Sequence, residues 1–476
     1  MGILDVEAVG SGARRRRPEL ALGGLGLALL FGAAACSRGS DDAATPGPET
    51  PPSVESPTPD ESTPDGGEPS KPDETPDAKA ETENDPMPLP PLDRRRTLAD
   101  GLNQFTFELY GASKPEDNFC LSPYSAAMAL GLLNLGAREE TRRAIDRALH
   151  VPEGDPAPLS VLGAMLPVLE GGSFERYGET IAMPELIGAN SLWTAENYPL
   201  AADFEESARR DFSAEIDEID VTKPAESANR INAWVSDKTR GKIKDLLNPA
   251  SIGALTRMVV VNAIYLKAAW REPFFESATT PAVFHADDGS KPEVPMMRRG
   301  HFFATHSDEL ADVIELPYWG DAEVQLTMVL ALPRADRTLA ELEAGLDATR
   351  FRTWIDGLKA EGSVQLSLPR WKTETTQILN APLSAVGMEP IFGTAADFSG
   401  VSSEPGLHVD IVLQKTFIEV DEKGTEAAAA TAIMLAGSAA PAKPKELVFD
   451  RPFWYAIRES NTGVVLFVGR VTNPSQ

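Results

Sequence analysis

The chain has 476 residues, with 72 acidic and 44 basic side chains, a net charge of −28 and two cysteines. The sequence has no basic patch suited to nucleic acid alongside this excess of acidic residues, which argues against nucleic-acid binding. The length alone would permit two or three domains, but the composition separates two N-terminal segments from one folded part.

The first 36 residues are arranged like an export signal. Four arginines at positions 14–17 precede an uncharged run, residues 20–35, which ends in small residues before Cys36. The run is short for a bilayer crossing of roughly 20 residues, which favours a cleaved signal over a permanent anchor. The stretch AAAC at residues 33–36 also resembles a bacterial lipoprotein cleavage box, which implies a lipidated Cys36 and an envelope or extracellular location. Plain secretion, an uncleaved anchor and the twin-arginine route stay open.

Residues 37–96 are predicted to be a disordered tether. Between residues 41 and 91 lie 14 prolines, 14 acidic residues and only two lysines, with almost nothing apolar to bury. Such a segment does not fold, and its repelling charges and prolines extend it. It would serve either as a stalk that holds a domain away from a membrane or as a passive spacer.

The folded part, residues 97–476, begins with helical patterns. Apolar residues recur at helical spacing at Leu98, Leu102, Phe105 and Leu109. Residues 125–137 are apolar nearly all round, which predicts a buried helix. Cys120 is the one cysteine of this part, so it has no internal disulfide and depends on its core. The apolar neighbours of Cys120 predict a buried, inert thiol.

Strand patterns follow further along the chain. Residues 256–270 form a continuous apolar run with β-branched side chains, which predicts a central strand. Residues 323–333 alternate with the period of a strand that is buried on one face, and residues 363–371 and 415–422 behave likewise. Because helices come early and strands late, the pattern predicts an α+β domain rather than a doubly wound one.

Catalytic motifs are missing from the sequence. GxSxG, HExxH, a Walker loop and GxGxxG do not occur, so an enzyme is not expected. The five histidines are scattered, and His301 and His306 are interpreted as solvated loop residues rather than metal ligands. The sequence therefore predicts neither a cofactor nor a metal.

From residue 98 onward, the chain contains a series of distinctive motifs. They include DNFCLSPYSAAMALGLLNLGAREETRRAI (117–145), VVVNAIYLKAAWREPF (259–274), FIEVDEKGTEAAAAT (417–431) and DRPFWYAIRESNTGVVLFVGRVTNP (450–474). These stretches resemble the serpin family. The resemblance implies a serpin fold with three β-sheets, eight to nine helices and an exposed reactive loop near the C-terminus. It also implies that a target protease cleaves this loop and forms an acyl-enzyme, after which the loop inserts into the main sheet as a new strand.

The resemblance also implies roles for residues of the main sheet. A polar cluster is expected beneath the point where the sheet opens, formed by Asn118, Ser122, Ser125, Asn262 and Gln414. Gln414 stands where the family has a histidine; because an amide both donates and accepts hydrogen bonds, the network should persist without pH sensitivity. Trp270 and Arg370 match positions at the top of the sheet, where Arg370 could pair with Glu422.

The stretch at residues 422–443 suits a loop that becomes a strand. Its hinge comprises Glu422, Gly424, Thr425, Glu426, Ala427, Ala428, Ala429 and Ala430. The sixteen residues between Glu426 and Lys443 carry no charge. Burying an unpaired ion would cost several kcal/mol, and a strand formed by these residues would bury none on either face. By itself an alanine-rich run also suits a helix or a linker, but its position after a serpin-like strand favours the hinge.

The scissile bond is predicted by counting along the hinge. In inhibitory serpins it usually follows the seventeenth residue from the hinge glutamate, which gives Ser438–Ala439 here. Counting back from the distal side gives a position near Pro441, and Met434 or Leu435 would suit a chymotrypsin-like enzyme. The small flanking residues favour an elastase- or subtilisin-like target, and the lack of Arg or Lys in the loop before Lys443 argues against a trypsin-like one.

The predicted function is a suicide inhibitor of serine proteases. The protein is expected to be a monomer that forms a covalent acyl complex with its target and contacts a membrane through Cys36. The alternative is a non-inhibitory serpin-fold protein that binds some other ligand at its surface. An unrecognised hydrolase ranks last.

Overall fold

The computed structural model describes residues 89–113, 115–151, 159, 162, 164, 171–176, 179–320, 325–425 and 443–476. The predicted export signal with Cys36 and most of the predicted tether lie outside the described residues. The same holds for Glu426, the four alanines at 427–430 and the predicted scissile bond Ser438–Ala439. No helix of the described part is both long enough and apolar enough to cross a bilayer.

Eight α-helices occur in the described residues. They are α1 (Leu92–Ser113), α2 (Pro123–Gly136), α3 (Glu139–Ala148), α4 (Ala202–Phe212), α5 (Pro224–Lys238), α6 (Leu339–Ala344), α7 (Ala348–Gly357) and α8 (Asn380–Leu383). The Ser122 hydroxyl caps α2 by accepting a hydrogen bond from the Ser125 amide at 3.2 Å, and Pro123 fits the first turn, where its nitrogen needs no partner. Every residue of α2 except Leu135 is buried, as predicted.

Strands occur throughout the chain, so the predicted order of early helices and late strands is wrong. They are β1 (Phe119–Leu121), β2 (Ser173–Arg176), β3 (Glu179–Ala182), β4 (Glu185–Ala195), β5 (Glu215–Ile219), β6 (Met258–Ala269), β7 (Thr280–Val283), β8 (Glu293–His301), β9 (Ala304–Ser307), β10 (Ala311–Pro317), β11 (Leu326–Pro333), β12 (Val364–Pro369), β13 (Trp371–Ile378), β14 (Ile411–Val420), β15 (Gly424–Thr425), β16 (Lys445–Val448), β17 (Phe453–Glu459) and β18 (Val465–Val471).

These strands form three sheets and one two-stranded ribbon in the described residues. The main sheet has the order β13-β14-β15-β6-β4-β5, the second sheet β1-β18-β17-β11-β10-β9 and the third sheet β16-β12-β8-β7, while β2 and β3 form the ribbon. The predicted α+β class with three sheets is confirmed.

The central strand of the main sheet, β6, is buried on both faces. Alternate residues of β6 belong to two different apolar clusters: Val260, Ile264 and Leu266 pack in the large cluster that contains α2, and Val259, Val261, Ala263 and Tyr265 pack in the cluster that contains α5. This alternation follows from the two-residue period of a strand. The prediction of a central strand at residues 256–270 is confirmed.

Two local predictions are wrong. All eight residues of β11 are buried, so this strand is covered on both faces rather than on one, as expected of a strand between β10 and β17 inside a packed sheet. His301 and His306 lie in β8 and β9 rather than in a loop. In the described residues, no group of three or more His, Cys, Asp or Glu side chains could hold a metal ion.

Candidate functional site: the hinge and the seam of the main sheet

The first residues of the predicted hinge already lie inside the main sheet. The two-residue strand β15 sits between β14 and β6, with Thr425 opposite Ala268 on one side and Val420 on the other. Gly424 pairs with Ala269 at a φ of 154°, a backbone conformation that favours glycine. Sequence reasoning placed these residues in a solvated loop, whereas Thr425 is fully buried.

Below this point β14 and β6 pair directly, and we call their boundary the seam. The two strands run parallel from the pair Ile411–Val259 to the pair Phe417–Tyr265. Val420 of β14 and Ala268 of β6 lie on either side of Thr425. These two positions follow the same alignment of the two strands. At the top of the sheet β15 therefore separates β14 from β6. The two strands keep the same alignment above and below the point where β15 enters.

A stack of two aromatic rings borders the docked hinge residues. The Tyr318 hydroxyl lies 2.6 Å from the Thr425 hydroxyl, and the Tyr318 ring stacks on Trp270 with ring centres 4.3 Å apart. Trp270 in turn donates a hydrogen bond to the Asp421 carbonyl at 2.9 Å. Burial raises the pKa of Tyr318 well above its ordinary value, so its hydroxyl stays protonated, and either hydroxyl can donate in this contact.

The predicted pair of Arg370 and Glu422 is present at the top of the sheet. The Nε and Nη2 atoms of Arg370 donate to one carboxylate oxygen of Glu422 at 2.9 and 2.7 Å, and the Thr279 hydroxyl donates to the same oxygen. The Glu422 side chain is 4% exposed and that of Arg370 is 45% exposed. Burial would raise the pKa of Glu422, but the hydrogen bonds from Arg370 and Thr279 and the charge of Arg370 outweigh it and lower the pKa.

Four of the five residues predicted for the polar cluster meet at the seam, together with one that sequence reasoning missed. We call this group the amide cluster: Ser122, Ser125, Asn190, Asn262 and Gln414. Gln414 donates to the Asn262 side-chain oxygen across the seam at 2.9 Å. It also exchanges hydrogen bonds with the Ser122 backbone, accepting at 3.0 Å and donating at 2.9 Å.

Asn262 is the centre of the amide cluster. Its side-chain nitrogen lies within hydrogen-bond distance of the Ser125 carbonyl and hydroxyl and of the Asn190 side-chain oxygen. Asn190 lies directly opposite Asn262 on β4. The sequence signal for Asn190 was an asparagine in the largely apolar stretch IGANSLW, because a buried amide requires a partner.

Asn118 does not belong to the amide cluster, so that prediction is wrong. Its side-chain oxygen accepts hydrogen bonds from the Thr472 amide at 2.7 Å and the Asn473 amide at 3.0 Å, and its nitrogen donates to the Asn473 carbonyl. Asn118 therefore fastens the chain before β1 to the segment after β18. Cys120, two residues on, is buried as predicted, and burial raises the pKa of its thiol to about 11.

Comparison with known proteins identifies the family. The family model described as Serpin (serine protease inhibitor) matches residues 100–474. The chain belongs to the serpin family. An uncharacterized serpin-like protein of Thermococcus kodakarensis is 34% identical to this serpin, over 80% of this chain and 87% of the relative. Leukocyte elastase inhibitor A of Rattus norvegicus is 32% identical, over 79% of this chain and 99% of the relative.

A solved structure of a relative has the same fold. The crystal structure of human thyroxine-binding globulin, complexed with thyroxine, superposes on this serpin with a TM-score of 0.71 at 26% identity. The match covers 80% of this chain and 100% of that protein. Proteins similar to this serpin thus include one named as an inhibitor of an elastase and one named for binding thyroxine.

Proposed function

We propose that this serpin is a suicide inhibitor of serine proteases with a narrow primary pocket, such as elastase- or subtilisin-like enzymes. It acts as a monomer and is consumed rather than turning over a substrate. The target's serine oxygen attacks the Ser438 carbonyl carbon, the Ser438–Ala439 bond breaks, and the new amine of Ala439 leaves with a proton. The Ser438 acyl ester remains on the protease while the loop inserts along the seam.

The observation that carries this proposal is the docked hinge. Gly424 and Thr425 already extend the main sheet between β14 and β6, so insertion needs only to lengthen an existing strand. The sequence after Glu426 supports this proposal because residues 427–442 carry no charge, and an uncharged segment avoids the cost of an unpaired ion in a buried sheet. The loop also gains backbone hydrogen bonds with both neighbouring strands.

The proposal is tested with a charge at the docked position. The wild-type protein should form a complex with an elastase that survives denaturing electrophoresis. Thr425→Arg should be cleaved in the loop without forming this complex, because position 425 is fully buried between β14 and β6 and a charge there opposes insertion of the strand. Leu255→Arg is the matched control, since Leu255 is 79% exposed and lies away from the hinge. Clean cleavage of the wild type with no complex would refute inhibition.

A second candidate function is binding of another ligand at the surface without inhibition. The similarity to thyroxine-binding globulin, whose structure contains thyroxine, favours this candidate. Loop cleavage distinguishes the two functions, because insertion of a strand should raise the melting temperature greatly. If the nicked and intact proteins melt at the same temperature, the loop does not insert and the binding function is preferred.

We further propose that the protein is exported and held at the cell envelope. The predicted organisation is a signal at residues 1–36, a tether at 37–96 and the serpin domain at 97–476, with lipidated Cys36 as the membrane contact. The arginines at 14–17 and the uncharged run at 20–35 support this. Mass spectrometry of the N-terminal fragment should find the added mass of an acyl group at Cys36, and Cys36→Ser should abolish it. An unmodified Cys36 would refute the lipid anchor but not export.

A further inference from the structure

Residues of the second and third sheets border a cleft of about 530 Å³. Its lining comes from the turn between β8 and β9, from residues 317–320 after β10, and from the neighbouring ends of β11 and β17. Small-molecule sites in proteins measure roughly 300–1,000 Å³, so the cleft is large enough for such a ligand. It lies outside the seam of the main sheet, and loop insertion does not use it.

Aromatic residues make part of this cleft apolar. Phe302, Phe303, Tyr318 and Trp319 all line it. Phe302 is 66% exposed, although burial favours an apolar side chain of this size. The ring of Phe302 is therefore available to cover the apolar part of a ligand, and the planar side chains around the cleft suit an aromatic or aliphatic body.

The charged residues of the cleft leave one cation without a partner. Glu315 accepts a hydrogen bond from Arg458 at 2.8 Å, and Glu272 accepts one from Arg299 at 2.9 Å. Arg271 lines the cleft and is exposed, and its side chain forms neither a hydrogen bond nor an ion pair with any described residue. Because both carboxylates are already paired, Arg271 gives the cleft an uncompensated positive charge.

Arg458 adds further hydrogen-bond donors to the lining. Its side chain is mostly buried, and its Nη2 atom donates to Glu315. Its Nε atom is buried and has no partner among the described residues. A guanidinium carries five N–H donors, so Arg458 retains donors for the polar atoms of a ligand after pairing with Glu315.

The cleft and the docked hinge share one segment of the chain. Residues 317–320 line the cleft, and the Tyr318 hydroxyl in this segment lies 2.6 Å from the Thr425 hydroxyl. The Pro317 carbonyl accepts a hydrogen bond from the Arg271 amide at 2.9 Å, which fastens the segment to the cationic residue. A ligand that packs on this segment while Tyr318 contacts Thr425 favours the docked hinge, because a ligand stabilises the state that it binds.

We propose that this cleft binds a small organic acid with an aromatic or aliphatic body, and that the bound acid holds the hinge in its docked position. Arg271 pairs with the carboxylate, and the aromatic side chains cover the body. A few polar groups in an otherwise apolar lining are typical of small-molecule sites. The inference does not depend on the proposed inhibition, because the cleft and the docked hinge both belong to the intact protein.

Calorimetric titration of the intact protein with phenylbutyrate tests the site. This acid should bind with a dissociation constant below about 1 mM. Acetate lacks the ring and phenylbutyramide lacks the charge, so each should bind about tenfold more weakly. Equal affinity for the acid and the amide would overturn the inference, and so would a lack of saturable binding by the acid.

Variants of the cleft identify the groups that bind. Arg271→Gln should weaken binding of phenylbutyrate roughly tenfold, the effect of one charged hydrogen bond, and Arg271→Lys should recover part of this loss because it keeps the charge. Phe302→Ala should weaken binding roughly fivefold. Arg209→Gln is the matched control, since Arg209 is also exposed but does not line the cleft. Undiminished affinity in Arg271→Gln would place the acid elsewhere and contradict the site.

Hydrogen exchange tests the effect on the hinge. Saturating phenylbutyrate should slow exchange of a peptide containing Thr425 roughly fivefold, the lower end of typical couplings between sites, and should leave peptides of α5 unchanged. In Thr425→Val the hydroxyl that contacts Tyr318 is missing, so the acid should still bind but should slow this exchange less. Unchanged exchange of the wild-type peptide at saturation would overturn the coupling between the cleft and the hinge.

Discussion

The top of the main sheet and the middle of its seam are both held by polar contacts, but their chemistry differs. At the top, a buried carboxylate on Glu422 is neutralised by Arg370, which is nearly half exposed. In the middle, the amide cluster consists only of neutral groups, and Asn262 and Gln414 are almost fully buried. The top contact should therefore respond to pH and salt, whereas the middle contact should respond to neither.

This difference suits the two positions. A charge in the middle of the seam would be buried beside an inserted strand, whereas the Glu422 carboxylate lies at the entry point, where the half-exposed Arg370 pairs with it. Gln414 takes the position where the resemblance implies a histidine, and an amide does not titrate. The seam of this serpin is thus expected to open with the same ease from acidic to neutral pH.

The largest expected effect comes from removing the centre of the amide cluster. Asn262→Ala leaves the Asn190 oxygen and one hydrogen of Gln414 without partners, which should lower the free energy of unfolding by about 3 kcal/mol. The loss should be the same between pH 4 and pH 8, because no member of the cluster titrates there. Denaturant unfolding followed by tryptophan fluorescence measures it.

Asn262→Asp sharpens this test because it introduces a titratable group of the same shape. Its carboxyl is neutral only at low pH, so its stability should fall as the pH rises, unlike that of Asn262→Ala. A pH-dependent loss in Asn262→Ala would contradict the neutral character of the amide cluster.

A smaller, pH-dependent effect is expected at the top of the sheet. The pKa of Glu422 is lowered in the folded protein from its ordinary value of 4.5. Its contribution to stability is therefore fully present above about pH 4.5 and is lost as the pH falls through the lowered pKa. Glu422→Gln should lower the free energy of unfolding by about 2 kcal/mol at pH 7, a value that already allows for the exposure of Arg370. In strong acid the substitution should not change the free energy of unfolding. Unfolding midpoints from pH 2 to pH 7 test this.

Arg370→Gln is the complementary variant. It leaves the buried Glu422 carboxylate with Thr279 as its remaining side-chain donor, so burial should dominate and the pKa of Glu422 should rise. At pH 7 this variant should be less stable than Glu422→Gln. The difference in the free energy of unfolding between the two variants should decrease as the pH is lowered. Equal losses in the two variants would mean that the carboxylate is better hydrated than its 4% exposure suggests.

Much of the site was predictable because its residues sit in strongly patterned stretches. The buried helix α2, the central strand β6 and the pair of Arg370 and Glu422 were all predicted from the sequence. Local apolar periodicity and the serpin resemblance were sufficient for these features, since each depends on one segment or on one pair of matching positions.

The features that were missed depend on contacts between distant segments. Asn118 was placed in the polar cluster because of the serpin resemblance, but its side chain binds the backbone of the C-terminal segment. Asn190 was overlooked because its partner Asn262 is on another strand. The docked state of Thr425 follows from its buried contact with Tyr318, which lies more than a hundred residues away in the sequence. A pattern of single residues does not reveal such pairings.

The smallest expected effect concerns the hydroxyl contact that holds the docked hinge. Tyr318→Phe removes the hydrogen bond to Thr425 and keeps the ring stacked on Trp270, so tryptophan emission should be unchanged. One neutral hydrogen bond contributes about 1 kcal/mol, which corresponds to roughly fivefold more frequent opening of β15. Hydrogen exchange of a peptide containing Thr425 should accelerate by that factor, and Thr425→Val should produce the same acceleration. Because both substitutions remove one shared bond, the double variant should exchange no faster than either single variant; additive effects would mean that the two hydroxyls act independently and that the hinge is held by its backbone pairing alone.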